Sequence, residues 1–174
     1  MRLRLTRHPD FPCAAVTEIT VDVARLHRSV LQLTYFVSGD IGAIRMPVAT
    51  QAARADELWK HTCFEAFVAD GDGYFEFNLA PSTQWAVYHF NAYRAGMTIT
   101  DVAAPSIETR REDERFELHT AIALPERSGR LGLSAVIEES NGEKSYWALA
   151  HAPGRPDFHH ADTFAADVPP AEQT

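Results

Sequence analysis

Apolar and polar residues alternate along this chain at a spacing of two far more often than at the three-to-four spacing of a helix. Val16-Thr17-Glu18-Ile19-Thr20-Val21-Asp22-Val23 alternates, and Val30 to Val37 is β-branched and aromatic up to the Ser38-Gly39-Asp40 turn, so the two read as neighbouring strands. Further strands are expected over 58–69, 74–79, Trp85 to Phe90, Ser106 to Arg111, Phe116 to Leu124, Leu131 to Glu138 and Ser145 to His151. Turn-rich pieces such as Glu126-Arg127-Ser128-Gly129 and Glu139-Ser140-Asn141-Gly142 separate them. Asn141-Gly142 predicts a type I′ hairpin turn, which needs positive φ at both central residues. About nine strands and no long helix predict an all-β fold, an antiparallel β-sandwich.

Two segments break the rhythm. Gly39 to Glu57 is a long excursion in which Ala49 to Ala55 is expected to form one or two helical turns, and a connection of that length is expected to lid a site. Pro153 to His160 reads as a loop because its prolines exclude ladder partners, and 168–174, with Pro169-Pro170, reads as a flexible tail to a domain over 1–167.

Candidate chemistry concentrates in the middle of the chain. In Tyr74-Phe75-Glu76-Phe77-Asn78-Leu79 the strand parity sends Phe75, Phe77 and Leu79 to a core face and Tyr74, Glu76 and Asn78 to the other. A carboxylate, an amide and an aromatic ring in a row suit a polar, hydroxyl-rich ligand. Glu65 lies in a strand apolar on both parities, so its carboxylate is expected either to pair, with Arg94 or Lys60, or to face a cavity. For Glu76 and Asn78 the competing reading is a solvated outer face.

The chain of 174 residues, with a formal charge of −8 and no basic stripe, repels polyanions, which argues against nucleic acid and anionic membrane as partners and for a small-molecule ligand. Cys13 and Cys63 lack metal spacing and read as free thiols of a reducing compartment. Without an apolar h-region behind the N-terminal arginines, or a run near the roughly 20 residues that span a bilayer, the protein is expected in the cytoplasm.

The stretches LWKHTCFEAFV (58–68), YFEFNLAPSTQWAVYHFNAYRAGM (74–97) and SYWALAHAPGRPDFHHADTF (145–164) resemble the bacterial DOMON-like family, related to family 9 carbohydrate-binding modules. The resemblance implies a jelly-roll-like sandwich whose relatives bind sugars or haem. Trp59, Trp85, Tyr74 and Tyr88 are then candidates for a stacking platform, while Glu65, Glu76, Asn78 and Arg94 would hydrogen-bond hydroxyls and His151 and His159 would rim the site. Trp147 is expected in the core.

Three other chemistries compete. Haem ligation has Met46, Met97, His61, His89 and His151 available as axial ligands. Two carboxylates could serve as the acid/base pair of a glycoside hydrolase. His151, His159, His160 and Asp162 match no established zinc spacing, and Asp70-Gly71-Asp72-Gly73 lacks the acidic twelfth residue of a calcium loop, so a hairpin turn accounts for it better and neither metal nor cofactor is expected. The reading is non-catalytic binding of a small ligand, most simply a carbohydrate, on a polar and aromatic sheet face.

Overall fold

A computed structural model describes residues 1–125 and 128–171. In chain order the strands are β1 (Arg2–Arg7), β2 (Val16–His27), β3 (Val30–Gly39), β4 (Cys63–Asp70), β5 (Gly73–Leu79) and β6 (Trp85–Phe90). They continue as β7 (Thr98–Ile99), β8 (Ser106–Arg111), β9 (Arg115–Ala123), β10 (Ser128–Glu138), β11 (Lys144–Ala148) and β12 (Ala166–Asp167). The named strands pair antiparallel throughout, in the order β7-β6-β5-β4-β10-β11-β1-β2-β3-β9-β8, with β12 beside β10. Strand β1 joins two layers: residues 2–5 pair with β2, and Thr6 and Arg7 pair with β11.

The path folds over so that the β1-β2-β3-β9-β8 layer faces the β7-to-β11 layer. Alternate residues of both layers, including Ile19, Val21, Leu33, Leu118, Phe64, Phe77, Leu133 and Trp147, form one buried cluster. Phe64 of β4 stacks on Phe116 of β9 at 5.8 Å between ring centroids, and the Tyr35 hydroxyl of β3 donates to the Glu65 carbonyl of β4 at 2.8 Å. A buried tyrosine hydroxyl needs such a partner, and this one ties the layers together.

The strands expected from alternation end within three residues of those observed, except that β2 runs four residues past Val23 to His27, and the 58–69 segment begins as a tight 3-10 turn over Leu58–Lys60 and extends only from Cys63. Strands β1, β7 and β12 were not anticipated. Ala49 to Ala55 is extended rather than helical: the Ala55 N–H donates to the Trp85 carbonyl at 2.9 Å, and the Trp85 N–H to the Ala53 carbonyl at 3.1 Å. Pairing with the start of β6 satisfies backbone groups that an isolated helical turn would leave open.

The two turns resolve differently. In Asp70-Gly71-Asp72-Gly73 glycine supplies the positive φ, +63° at Gly71, and the loop is a two-residue hairpin. At Asn141-Gly142 only Gly142 has positive φ (+88°), so the type I′ expectation fails. The Asn141 side chain accepts from the Glu143 N–H at 2.9 Å, which holds Asn141 in an ordinary conformation and lengthens the turn by one residue. Of the other expected features, Glu126, Arg127 and residues 172–174 lie outside the described residues. The tail begins with Val168 held by its N–H on the Gly129 carbonyl at 2.8 Å. No helix among the described residues is long and apolar enough to cross a membrane.

Candidate binding cavity

On the outer face of the β6-β5-β4-β10-β11 layer, register sets side chains in rows. Tyr88 lies opposite Glu76, Glu76 opposite Phe67, Asn78 opposite Glu65, and Glu65 opposite Ser134. An outer face would ordinarily be wet. This one is covered by segments 54–60, 91–99 and 153–164, and Phe67, Tyr74, Ala86, Tyr88, Phe90 and Phe164 form a second apolar cluster there. Between cover and sheet is a cavity of about 980 Å³, the upper end of what small-molecule sites occupy. Glu65 and Glu76 line it from the sheet, with Tyr88, Phe90, Tyr146 and Phe158 as aromatic walls and Trp59, Met97 and Ile99 exposed at its mouth.

Glu65 is 3% exposed and Glu76 6%. Glu65 accepts from the Ser134 hydroxyl at 3.3 Å, and among the described residues no cation lies within ion-pair distance of it. Glu76 accepts from the Asn78 amide at 2.7 Å. Burial, and then repulsion from Glu76, hold the Glu65 carboxyl well above the usual range; burial also raises Glu76, opposed by the Asn78 bond and the Arg94 charge. The Cys63 thiol is likewise pushed up, by burial first and Glu65 second.

The Tyr74 hydroxyl accepts from the Arg94 backbone N–H at 3.2 Å, so its own proton goes to Nδ1 of His159 at 2.7 Å. That tautomer leaves Nε2–H of a neutral imidazole facing Glu76 Oε2 at 3.7 Å. Burial lowers the His159 pKa to about 4, helped by the Arg94 charge. Arg94 is taken by Asp157 at 2.8 Å, and Asp157 also accepts from the Tyr93 hydroxyl and the His159 N–H. The loop over 153–160 is thereby tied to the hairpin after β6. On the opposite wall the Tyr88 hydroxyl donates to Asp56 at 2.5 Å, beneath the Arg54 guanidinium 5.2 Å from the Tyr88 ring.

Of the eight residues expected to bind ligand, Trp59, Glu65, Glu76, Arg94 and His159 line this cavity. Asn78 sits behind Glu76, buried, as its hydrogen-bond donor. Trp85 points to the opposite side: its parity within β6 is that of Val87, and it packs, partly buried, against the main core with Arg54 above it. His151 is away from the cavity, on the Thr6 carbonyl at 2.7 Å and edge-on to His8. The anticipated ion pairs of Glu65 are absent, because Lys60 takes Glu57 at 2.6 Å and Arg94 takes Asp157. Nor are Glu76 and Asn78 solvated, since the covering segments dehydrate the face.

Asp56, Phe11, Met97, Ile99, Tyr146 and Phe158 were missed. Parity could have found Tyr146, because Trp147 in the core sends its neighbour outward. Most of the others come from connecting segments that no periodicity describes.

The candidate axial ligands for haem are dispersed. Met97 is at the cavity mouth, Met46 packs against the main core, His61 bonds Glu138 at 2.7 Å, and His89 is 3.7 Å from Asp70. Among the described residues no group of three or more His, Cys, Asp or Glu side chains is placed to hold a metal ion.

No family model and no curated protein matches the chain. Among solved structures the fold is similar to that of "a putative carbohydrate-binding protein from Bacteroides uniformis ATCC 8492", with a TM-score of 0.61 and 16% identity over 94% of this chain and 83% of that one. At that identity the likeness speaks to the fold.

Proposed function

We propose that the protein binds a carbohydrate in the cavity over β4, β5 and β6 and performs no reaction on it. The observation that carries this is the pairing of two buried carboxyls, Glu65 and Glu76, neither in an ion pair with lysine or arginine among the described residues, with aromatic walls in one half-open cavity of about 980 Å³. Carboxyl and histidine groups take hydroxyls, while Tyr88, Phe90, Tyr146 or Phe158 can meet the C–H face of a sugar ring. Support comes from the DOMON-like resemblance of the three sequence stretches and from the fold shared with a protein described as carbohydrate-binding. The cytoplasm, with both cysteines as thiols, is the compartment this reading assumes.

Titrating mono- and disaccharides against intrinsic fluorescence tests it, because Trp59 is at the cavity mouth. Dissociation constants on the order of micromolar to millimolar are expected, equivalent to about −4 to −8 kcal/mol. Trp59→Ala should remove most of the signal, and Glu76→Gln should weaken binding several-fold. Absence of binding across the set would refute the proposal.

A second reading, glycoside hydrolysis, has an observation of its own. Glu65 is held protonated more firmly than Glu76, which has the Asn78 bond and Arg94 to favour its charge, and acid/base pairs need environments that differ. Turnover of chromogenic glycosides that is lost in Glu65→Gln would establish it in place of simple binding.

A further inference from the structure

The cavity has more acid than base facing its interior. Glu65 and Glu76 emerge from neighbouring strands, and Glu65 lies directly across from Asn78, so the two carboxyls are diagonal neighbours on one face. Of the basic groups nearby, Arg94 is spent on Asp157, His159 is neutral at ordinary pH, and Arg54 stands behind Tyr88, 3.9 Å from Asp56. Arg155 lines the cavity from the 153–160 loop but is in ion-pair contact with neither Glu65 nor Glu76. Of the other titratable groups around the pair, burial raises Tyr35 from β3, Cys63 on β4, Tyr74 on β5 and Tyr88 on β6, which keeps them uncharged, while Asp56 accepts from the Tyr88 hydroxyl and Glu57 pairs with Lys60.

Two carboxyls without a cation, inside aromatic walls, form the arrangement that recognises an ammonium group. The carboxylates supply charge-assisted hydrogen bonds, and the Tyr88, Phe90, Tyr146 and Phe158 rings that line the cavity are within it to add the quadrupole attraction that a positive nitrogen meets beside aromatic groups. The geometry points to a sugar bearing a free amino group, its ammonium seated on Glu65 and Glu76, rather than a neutral or acidic sugar. This inference rests on the carbohydrate reading above and narrows it to one chemical class. The size of the cavity leaves room for more than one ring, and the exposed Trp59, Met97 and Ile99 would then flank the outer ring.

Binding a cation here draws protons off the carboxyls, because burial raises the pKa of both and an ammonium beside them favours their charged form. Affinity for the amino sugar should therefore rise with pH through their titration, until the ligand's own ammonium begins to lose its proton, and each binding event should release protons to the buffer. A neutral sugar has no such dependence.

Three β-1,4-linked disaccharides that differ at one substituent make the test: cellobiose, the N-acetylglucosamine dimer and the glucosamine dimer, titrated calorimetrically against the wild-type protein from pH 5.5 to 7.5 in buffers of different ionisation enthalpy. The glucosamine dimer should bind about tenfold more tightly than cellobiose at pH 7 and alone show proton release. The preference for the glucosamine dimer over cellobiose should collapse in Glu65→Gln/Glu76→Gln. If cellobiose or the acetylated dimer binds as well as the free amine, the inference is overturned and the carbohydrate reading survives. A preference that persists in the double variant overturns the placement on Glu65 and Glu76. If none of the three binds, both readings fail. Should the double variant not fold, the wild-type pH profile and proton count decide alone.

Discussion

His159 should make the protein sensitive to mild acid in a way that one substitution removes. Unfolded, its imidazole takes a proton near the ordinary value of 6.5; folded, it does so only near 4. Between those values the unfolded chain binds a proton that the folded chain refuses, so stability is complete above pH 6.5 and is lost as the pH falls to 4. At about 1.4 kcal/mol per pH unit, the interval amounts to roughly 3 kcal/mol, a sizeable share of the 5–15 kcal/mol that holds a typical domain. The side chain is only 16% exposed, so solvent screening takes little from this figure. Glu65 and Glu76 act with the opposite sign, because carboxyls with raised pKa destabilise the fold as the pH rises above 4.5. The comparison must therefore be a difference. Urea unfolding of wild type and His159→Gln, which keeps an acceptor for the Tyr74 hydroxyl, should give curves that separate by about 3 kcal/mol in favour of the variant between pH 6.5 and 4. Parallel curves, or the His159 resonance itself, assigned by its loss in His159→Gln, titrating near 6.5 in the folded protein, would refute the argument.

Glu65→Gln should have a stabilising effect that grows with pH from 4.5 upward, at no more than about 1.4 kcal/mol per pH unit, the limit for one proton; urea midpoints from pH 5 to 8 check it. Tyr35→Phe should cost about 1–2 kcal/mol without altering ligand binding, since it leaves the Glu65 carbonyl without its inter-layer donor. Trp85→Ala should cost about 2 kcal/mol in thermal or chemical unfolding, being half-buried against the core, whereas Trp59→Ala should stay within about 0.5 kcal/mol. In thiol titration Cys13 should react with the native protein and Cys63 only after unfolding, because Cys63 is buried with its thiol held protonated.

How much of this was legible in the sequence depended on whether the deciding force was local. Alternation is imposed by a sheet with one buried face, so the ends of β3, β5, β6, β8 and β9, and the start of β2, are legible to within two residues. Strand β1, Arg2–Arg7, escaped notice because arginines at 2, 4 and 7 bury so little: only Leu5 among its residues is buried, and partners 20 and 140 residues away hold it in place. Ala49 to Ala55 was misjudged for a similar reason. Its alanines favour helix locally, and a free edge at Trp85, invisible along the chain, outweighed that preference.

The site shows the same division more sharply. Parity correctly put Glu76 and Tyr74 on one face of β5 and Phe77 on the other, yet parity cannot say whether a face is wet. Dehydration of that face comes from three connecting segments, and among the described residues two of the three non-glycine residues with positive φ, Glu57 and Arg94, lie in them and line the cavity. Such conformations cost of order 1–3 kcal/mol each and persist only where surrounding contacts impose them. Backbone hydrogen bonds fasten both: the Glu57 carbonyl accepts from the Lys60 N–H at 3.0 Å, and the Arg94 N–H donates to the Tyr74 hydroxyl at 3.2 Å. Strained turns at the two sides of one cavity, beside two buried carboxyls that form no ion pair with lysine or arginine among the described residues, fit the proposed binding role better than a role in packing alone.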